Sequence, residues 1–457
     1  MLAPASALTA EAIADRVTTA PRYTSYPPAT AFTPVPPTLA VDELARLGRE
    51  QRPVSLYVHV PFCRSLCAYC GCNVTISRAV HRGEGYVDAL ATEMVRIAAG
   101  LGRAPVTEVA LGGGSPNFLT PAALTNLADA LDRYFAITPD ARRSVELDPR
   151  ATTPEQVDLL AARGWNSLSV GVQDFDPEVQ SIIGRIQSVE ETRALIHRAR
   201  AAGITDLNID LIYGLPKQTE ASLAATIDHV VALAPDRIAL FGYAHVPDLR
   251  PQQRLLEKRS RLPDRYERAG LLLGAAARLT AAGYRQIGLD HFTKPGSRLA
   301  QAADAGTLTR NFQGYSEKLA EAIIGLGASA ISSTERAHWQ NHADLDDWAA
   351  ALEGGQLPVA RGIALSFDDR VRGDVITELM CTGSVDLAAV GRRWNLEADR
   401  YFSDVLGELA ADDALVHYDP ERQHLEATDL GRILVRNVCM RFDRYLPVNG
   451  RRGSTTI

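Results

Sequence analysis

Six apolar runs with the residue types of β-strands lie between residues 55 and 244, and a stretch with helical spacing follows each. They begin about 25 to 50 residues apart, the spacing that parallel strands joined by helices require. The pattern predicts an α/β fold, a partial (β/α)6-type barrel of parallel strands covered by helices. The runs are 55–62, 108–113, 144–149, 167–173, 207–214 and 237–244, and two further runs, 286–292 and 322–332, would extend the sheet.

Polar residues cluster where these predicted strands end. In parallel barrels the face at the carboxyl ends of the strands carries the active site. One polar residue at a strand end is most often a helix cap, but polar pairs at nearly every strand end predict a functional site. The pairs are Glu146 and Asp148, Gln173 and Asp174, Asp210 and Tyr213, Tyr243 and His245, and Asp290 and His291.

The length of 457 residues predicts more than one structural unit. We expect an N-terminal arm or lid at 1–50, a catalytic barrel with extensions at 51–364 and a small, mostly helical domain at 365–457. Three helical stretches and a hairpin near Asp419 make that last domain resemble a winged helix. Residues 366–457 hold 16 acidic residues and 12 arginines without a lysine, which disfavours DNA binding and favours a packing or lid role.

Composition limits the partners and the compartment. The net charge of -7 disfavours a general nucleic-acid or membrane surface. No apolar run reaches the roughly 18 to 20 residues of a membrane-spanning helix. The N-terminal stretch lacks the basic region of a signal peptide and predicts a short amphipathic helix. We therefore expect a cytoplasmic protein without disulfides, in which clustered cysteines point to metal or redox chemistry.

Cys63, Cys67, Cys70 and Cys72 follow the spacing C-x3-C-x2-C-x-C. A structural zinc site usually has a second cysteine or histidine pair further along the chain, and none is visible here. Three close thiolates on one loop suit three corners of an iron–sulfur cluster. Cys63, Cys67 and Cys70 are the favoured set, because Gly71 allows the chain to turn away before Cys72. A cluster with three ligands leaves one iron open for chemistry.

A glycine-rich turn, Gly112-Gly113-Gly114-Ser115-Pro116, follows the second predicted strand. Glycines let the backbone approach a ligand closely and present N–H groups to it. Such a turn is often structural only. Its place one βα unit after the cysteine loop predicts that it faces the open iron.

These motifs together resemble one family, the oxygen-independent coproporphyrinogen III oxidases (dehydrogenases) of the radical S-adenosylmethionine superfamily. The cysteine motif alone indicates the superfamily, and the ordered set from residue 22 to residue 446 is specific to the family. Two departures are GGGSPN, where the family often has GGGTPT, and Tyr69, where phenylalanine is common. The matching segments are RYTSYP (22–27), YVHVPFCRSLCAYCGC (57–72), GGGSP (112–116), VELDPR (145–150), SVGVQDF (169–175), NIDLIYGLPKQT (208–219), YAHVP (243–247), GLDHF (288–292), RNFQGY (310–315) and RNVCMRFDRYL (436–446).

The resemblance implies an oxidoreductase that uses a [4Fe-4S] cluster and S-adenosylmethionine, with a second S-adenosylmethionine beside the first. A 5′-deoxyadenosyl radical abstracts hydrogen from a substrate propionate, which loses CO2 and one electron and becomes a vinyl group. Two propionates of coproporphyrinogen III react, giving protoporphyrinogen IX in haem biosynthesis. The implied partners are an electron donor of the flavodoxin or ferredoxin type and an electron acceptor, and we expect a monomer.

The resemblance also assigns site residues. Cys63, Cys67 and Cys70 would ligate the cluster. His59, Arg22, Tyr23 and Gln313 are substrate-side candidates, although His59 also suits a core histidine and RYTSYP a structural strap. Contacts to the first S-adenosylmethionine would come from Tyr57, Gly113, Gly114, Ser115, Glu146 and Ile331, and those to the second from Tyr69, Cys72, Gln173, Arg185, Asp210 and Ala244.

Two other functions compete with this interpretation. Haem-carrier relatives share the radical core but typically lack both the cysteine at the position of Cys72 and the RYTSYP segment, and this chain has both. A winged-helix regulator with a redox-sensing cluster leaves the six βα units unexplained. The oxidase interpretation is therefore preferred.

Overall fold

A sheet of 13 strands forms the centre of the computed structural model, which describes residues 8–411, 414–446 and 454–457. The strands are β1 Thr19–Ala20, β2 Thr33–Pro34, β3 Val54–Val60, β4 Phe62–Cys63, β5 Thr75–Ile76, β6 Pro105–Gly113, β7 Ala136–Leu147, β8 Ser167–Gln173, β9 Asp206–Tyr213, β10 Arg237–Gly242, β11 Arg285–Ile287, β12 His291–Thr293, β13 Leu308–Asn311, β14 Gly314–Glu317, β15 Ala322–Leu326, β16 Ile331–Ser333, β17 Ala337–Asn341, β18 Val359–Ala364, β19 Ser384–Asp386, β20 Val416–Asp419, β21 His424–Ala427 and β22 Ser454–Thr455.

The helices cover this sheet and build the C-terminal part. They are α1 Ala10–Ala14, α2 Thr38–Glu50, α3 His81–Leu101, α4 Pro121–Tyr134, α5 Pro154–Ala162, α6 Pro177–Ile183, α7 Val189–Ala201, α8 Glu220–Leu233, α9 Arg254–Arg259, α10 Arg265–Ala281, α11 Arg298–Asp304, α12 Leu345–Glu353, α13 Phe367–Thr382, α14 Leu387–Trp394, α15 Ala398–Tyr401, α16 Ser403–Ala410, α17 Asp429–Ile433 and α18 Val435–Phe442. None of them, within the described residues, is both long enough and apolar enough to cross a bilayer.

The six predicted strands are β3, β6, β7, β8, β9 and β10, and each pairs in parallel with the next. The predicted partial barrel is therefore confirmed. Strand β15 adds a further parallel pair beside β3, and the remaining neighbours are antiparallel. The run at 322–332 forms two antiparallel strands, β15 and β16, because the chain turns back at Gly327, where φ is 94°. The strand order ends at β11 and β2, which leaves the barrel open.

Helix starts are set by local capping. Thr120 and Thr153 each accept a backbone hydrogen bond at the start of α4 and α5, and a proline follows each threonine. Proline suits the first helical position because its missing N–H would have no partner there. The predicted Thr-Pro helix starts are thus present, and they turn the chain back over the sheet after β6 and β7.

The C-terminal part contains the expected helices and hairpin. β20 and β21 form the hairpin, and β19 pairs with β21 to complete a three-stranded sheet. Helix α13 packs against α18 and continues from β18 of the main sheet. The boundaries at residues 50 and 364 stay predictions. The N-terminal helix expected from the sequence is α1, and residues 1–7 of that stretch lie outside the described residues.

The N-terminal segment is attached to the barrel by a close helix contact. Helix α2 crosses α3 where glycines face each other: a Cβ on Gly48 would lie 2.3 Å from the Gly100 carbonyl oxygen. Leu44 and Leu47 of α2 are buried beside this contact. The atoms opposite Gly48 belong to the α3 backbone, which cannot move aside as a flexible side chain can. The contact therefore requires glycine at this position.

We expect Gly48→Ala to lower the free energy of unfolding by roughly 1–3 kcal/mol, as overpacking does. Gly274→Ala on α10 is the matched control, since its Cβ would meet nothing within 4 Å. That control should raise stability by about 0.5–1 kcal/mol, because glycine weakens a helix interior. Urea unfolding of the cofactor-free protein measures both changes. Equal stability of Gly48→Ala and the parent chain would contradict the close contact.

Candidate active site

A cavity of about 550 Å³, here called the main cavity, lies at the carboxyl ends of β6 to β10. The loop between β3 and α3 closes one side of it. Half of the predicted strand-end residues meet there, because parallel strands end at the same edge of a sheet; they are Glu146, Asp148, Gln173, Asp210 and Tyr243. The others, Asp174, Tyr213, His245, Asp290 and His291, do not line it. The predicted residues that line the main cavity are Arg22, Cys63, Cys67, Tyr69, Cys70, Cys72, Gly113, Gly114, Ser115, Glu146, Gln173, Arg185, Asp210 and Ala244.

The cysteine loop is held from both sides. The Ala68 amide donates to the Ile183 carbonyl at the end of α6, at 2.9 Å. On the other side Arg250 donates to the Gly71 carbonyl at 2.7 Å, and Gln252 to the Cys70 carbonyl at 2.9 Å. These bonds come from elements distant in sequence, so the fold fixes the loop that carries the thiols.

The thiols differ in exposure. Cys67 is buried, Cys63 and Cys70 are half-buried, Cys72 is exposed, and none forms a disulfide. Burial raises the pKa of Cys63 to about 11, against a hydrogen bond from Ser115. A hydrogen bond from Cys72 lowers the pKa of Cys70 to about 6. The loop therefore presents thiols in unlike environments to one cavity.

Two guanidinium groups approach the Cys67 sulfur. Arg150 and Arg185 place a nitrogen 3.5 Å and 3.6 Å from Cys67 Sγ. Both arginines also bind Asp148: Arg185 contacts its two oxygens at 3.3 Å each, and Arg150 approaches to 2.6 Å. These neighbours hold the pKa of Asp148 below its ordinary value although burial acts in the opposite direction. The network places net positive charge beside the thiol, which favours a thiolate or an anionic group there.

The donor set fits an iron–sulfur cluster. Among the described residues no three His, Cys, Asp or Glu side chains converge on a single-metal site. A four-iron cluster binds each thiolate through a different iron, so its ligands need to face one cavity rather than meet at one point. Cys63, Cys67 and Cys70 do face one cavity. The Nε atom of Arg185, buried at the same wall, has no hydrogen-bond partner.

The glycine turn lies directly against the cysteine loop. The Gly114 amide donates to the Val60 carbonyl at 2.8 Å, and the Ser115 amide donates to the Phe62 carbonyl at 2.9 Å. Gly113 has φ of 112°, and a Cβ there would lie 2.6 Å from the ring of His59. Only glycine combines that conformation with that close approach. Ser115 Oγ lies 3.6 Å from Cys63 Sγ, so the turn and the thiols share one wall.

Two half-buried carboxyl groups form the floor of the main cavity. Loss of water around the group and the nearby Asp210 together raise the pKa of Glu146 to about 7, and the Gly113 amide opposes the shift. Burial also raises the pKa of Asp210, against hydrogen bonds from Ser169 and Asn208. Both carboxyl groups also line an inner cavity of about 220 Å³ inside the barrel. The floor therefore favours a ligand that brings positive charge or hydroxyl donors.

Tyr57 and His59 lie in the wall beneath the glycine turn. His59 Nε2 donates to the Asn73 carbonyl at 3.0 Å, so its Nδ1 accepts from the Tyr57 hydroxyl at 3.1 Å. Burial lowers the pKa of His59 to about 4, which keeps the ring neutral at pH 7. These side chains do not line the main cavity, and they act on it through Gly113.

Three more predicted residues also lie outside the main cavity. Gln313 lines the inner cavity with Phe312, which packs on Tyr57 with ring centroids 4.6 Å apart. Ile331 lies on β16. The Tyr23 hydroxyl donates to Asp443 at 3.0 Å and so points to the C-terminal part of the chain.

Sequence reasoning named Asp148 only as a strand-end residue and assigned no role to Arg150. The motif VELDPR contained both, so a signal was present. The missing information was spatial, because Arg150 and Arg185 are far apart in sequence and meet only through Asp148.

Comparison with known proteins places this geometry in a class. The family model of the radical SAM superfamily matches residues 57–230, from β3, the strand before the cysteine loop, to α8. The chain is 42% identical over 434 residues to the oxygen-independent coproporphyrinogen III oxidase of Escherichia coli (strain K12), covering 94% of each chain. Identity to the protein of the same name from Pseudomonas aeruginosa is 40% over 445 residues, with 96% of each chain covered.

The chain therefore belongs to the oxygen-independent coproporphyrinogen III oxidase family, as the sequence motifs predicted. A solved structure of coproporphyrinogen III oxidase (HemN) from Escherichia coli, described as a radical SAM enzyme, superposes with a TM-score of 0.89. It is 41% identical, and the match covers 93% of this chain and 98% of that one.

The Glu146 environment predicts a pH-dependent stability. The pKa of Glu146 rises from 4.5 to about 7 in the folded chain, so folding takes up a proton between those pH values. Wild-type stability should therefore fall, relative to Glu146→Gln, as the pH rises from about 4.5 to about 7, by roughly 1–3 kcal/mol in total. Denaturant midpoints of the cofactor-free proteins at several pH values measure the difference.

Glu353→Gln on α12 is the control, since that glutamate is exposed. A constant difference between wild type and Glu146→Gln at every pH would mean that folding does not shift the pKa of this carboxyl group.

Proposed function

We propose that this chain converts two propionate side chains of coproporphyrinogen III to vinyl groups by oxygen-independent oxidative decarboxylation, giving protoporphyrinogen IX in haem biosynthesis. The similarity of nearly the whole chain to the named oxidases supports this function. The predicted oxidoreductase class is confirmed by that membership. The observation that carries the proposal is the meeting of three cysteines, the glycine turn and two half-buried carboxyl groups at one cavity.

The predicted cofactors, a [4Fe-4S] cluster and S-adenosylmethionine, follow from membership of the radical SAM superfamily. Together they supply a 5′-deoxyadenosyl radical when bound. Cys63, Cys67 and Cys70 would hold the cluster. Arg150 and Arg185 would offset its negative charge from the side of Cys67.

The carboxyl groups of the cavity floor and the glycine turn would each contact a different part of S-adenosylmethionine. Glu146 and Asp210 would accept from its ammonium or ribose groups, and Gly113 and Gly114 would admit its amino-acid end. Ser115, which lines the main cavity, is a further proposed contact to the first molecule. Tyr57 and Ile331 stay predicted contacts, although neither lines that cavity. The size of the main cavity, about 550 Å³, supports room for a second molecule. Its proposed contacts are Tyr69, Cys72, Gln173, Arg185, Asp210 and Ala244.

The substrate-side candidates divide by position. Arg22 lines the main cavity and is proposed to touch substrate. Gln313 lines the inner cavity and is proposed to border the substrate from below. His59 and Tyr23 are proposed as positioning residues, because their hydrogen bonds go to Tyr57, Asn73 and Asp443.

An acidic electron-carrier protein of the flavodoxin or ferredoxin type is proposed as the electron donor. Exposed apolar side chains lie on and beside the cysteine loop: Leu66 on the loop is 40% exposed, and Ile186 (64%) and Leu249 (65%) adjoin Arg185 and Arg250, which contact it. Residues 60–83 contain three arginines and no acidic residue, although the whole chain carries a net charge of -7. Basic residues and exposed apolar side chains next to the thiols suit an acidic partner. The electron acceptor is unassigned.

We also propose a cytoplasmic monomer. All six cysteines have free thiols, which suits a reducing compartment. This chain supplies all three proposed cluster ligands at one cavity, which supports a site that is complete in a single copy.

Anaerobic turnover tests the function. Reconstituted protein with coproporphyrinogen III, S-adenosylmethionine and dithionite should yield CO2, 5′-deoxyadenosine, methionine and the divinyl porphyrinogen. Cys67→Ala should lose the cluster absorbance and all four products, because a thiolate ligand is missing. Cys72→Ala should keep the cluster absorbance. Cleavage of S-adenosylmethionine without decarboxylation would point to another substrate, and haem binding without turnover to a haem carrier.

The donor surface predicts a charge-reversal effect. Arg64→Glu should slow turnover with an acidic electron carrier by about 10-fold at low ionic strength, because steering by opposite charge is lost. Turnover with dithionite should stay unchanged, and iron content checks that the cluster still assembles. Arg422→Glu on the β20–β21 turn is the control. Equal slowing with both reductants would place the defect in the cluster rather than in docking.

A further inference from the structure

A third cavity, of about 50 Å³ and here called the arginine cavity, lies between β10, α18 and the last described strand, β22. Arg22, Arg310 and Arg436 line it, and Asp290 lies among them. These residues come from four of the sequence motifs, RYTSYP, RNFQGY, RNVCMRFDRYL and GLDHF. Segments far apart in the chain therefore bring their charges to one place that the proposed cofactor sites do not use.

Two of these arginines are already bonded to other groups of the protein. Arg310 contacts both oxygens of Asp290 at 3.2 Å each, and His291 donates to the same carboxylate at 2.8 Å. Arg436 donates to backbone carbonyls on both sides of the cavity, those of Pro21 at 2.9 Å and Thr455 at 2.7 Å. Asp290, the single acidic side chain among the described residues that line the arginine cavity, is thus already paired, and the three arginine side chains outnumber it.

Arg22 is the member with spare donors. Among the described residues its hydrogen bond is to the Gly242 carbonyl at 3.1 Å, and no carboxylate lies within ion-pair distance of it. Arg22 is exposed, so its spare N–H groups are open to a ligand. The surrounding protein displaces water from the guanidinium and so lowers its pKa; Asp290 raises it, and Arg310 lowers it too. An anionic ligand would supply the counter-charge that no described carboxylate provides at ion-pair distance.

Arg22 lies where a ligand in the main cavity can reach it. Arg22, Phe241 and Gly242 line both the arginine cavity and the main cavity, so Arg22 lies at the junction of the two. Its backbone is fixed on both sides: Arg436 holds the Ala20 and Pro21 carbonyls, and the Tyr23 hydroxyl is bonded to Asp443. The segment that carries Arg22 is therefore held at the edge of the main cavity, and the Arg22 guanidinium donates there to the Gly242 carbonyl.

We propose that Arg22 binds a carboxylate of the substrate that is not decarboxylated, and that Arg436 and the Arg310–Asp290 pair are positioning residues for it. This rests on the proposed function, in which a tetracarboxylate loses two carboxyl groups and keeps two. A guanidinium pairs with a carboxylate through two parallel hydrogen bonds, which fixes direction as well as distance. Anchoring a retained propionate there orients the macrocycle so that a reacting propionate faces the cofactor floor.

Binding of coproporphyrin III, a fluorescent tetracarboxylate, to the anaerobic holoenzyme tests the proposal. Arg22→Gln should raise its dissociation constant about 10- to 100-fold, the effect of losing a charge-assisted pair. Arg22→Lys should recover part of the loss, because lysine restores the positive charge but not the two parallel N–H donors of the guanidinium. The tetramethyl ester of coproporphyrin III should bind wild type and Arg22→Gln equally, since it has no carboxylate. Arg133→Gln on α4 is the matched control.

Equal binding of coproporphyrin III to wild type and to Arg22→Gln would overturn the proposal, whatever the turnover. An equal loss for the ester and the acid would also overturn it, because it would show a structural role for Arg22. Failure of the proposed function looks different: wild type would form no divinyl product, while binding of coproporphyrin III would still depend on Arg22.

Discussion

The pairing between β3 and β6 continues past the strands, and the site depends on that continuation. The amides of Gly114 and Ser115 reach back to the carbonyls of Val60 and Phe62, so the glycine turn is bonded to the start of the cysteine loop. His59 lies against Gly113 and leaves no room for a side chain. The cluster ligands and the turn are therefore placed by backbone hydrogen bonds, which tolerate far less displacement than side chains on separate loops.

Local sequence patterns predicted most of the fold and part of the site. The apolar runs marked β3 and β6–β10 because strands buried on both faces must be apolar throughout. The strand-end residues Glu146, Gln173 and Asp210 were also identifiable, since parallel strands end together. Both inferences need only the periodicity of the chain and one rule of sheet geometry.

Long-range electrostatic partners were not predictable in the same way. The sequence marks Arg150 and Arg185 as charged but contains no sign that both turn toward Asp148 and Cys67. Tyr23 follows Arg22 directly, yet the two side chains go to different places, because φ of 48° at Tyr23 turns the chain there. Side-chain direction after such a residue depends on tertiary contacts, here the one with Asp443.

Charge is segregated along the main cavity, and that segregation explains how one site can hold unlike ligands. Glu146 and Asp210 crowd negative charge at the floor, where burial raises the pKa of both. Arg22, Arg150 and Arg185 stand along the walls, two of them at Cys67. At the floor two carboxyl groups lie close together in a medium that screens poorly, and at the wall Arg150 and Arg185 share the single carboxylate of Asp148. A cationic ligand at the floor neutralises the carboxyl groups, and anionic groups at the walls neutralise the arginines. Binding of one kind of ligand therefore favours binding of the other kind in the same cavity.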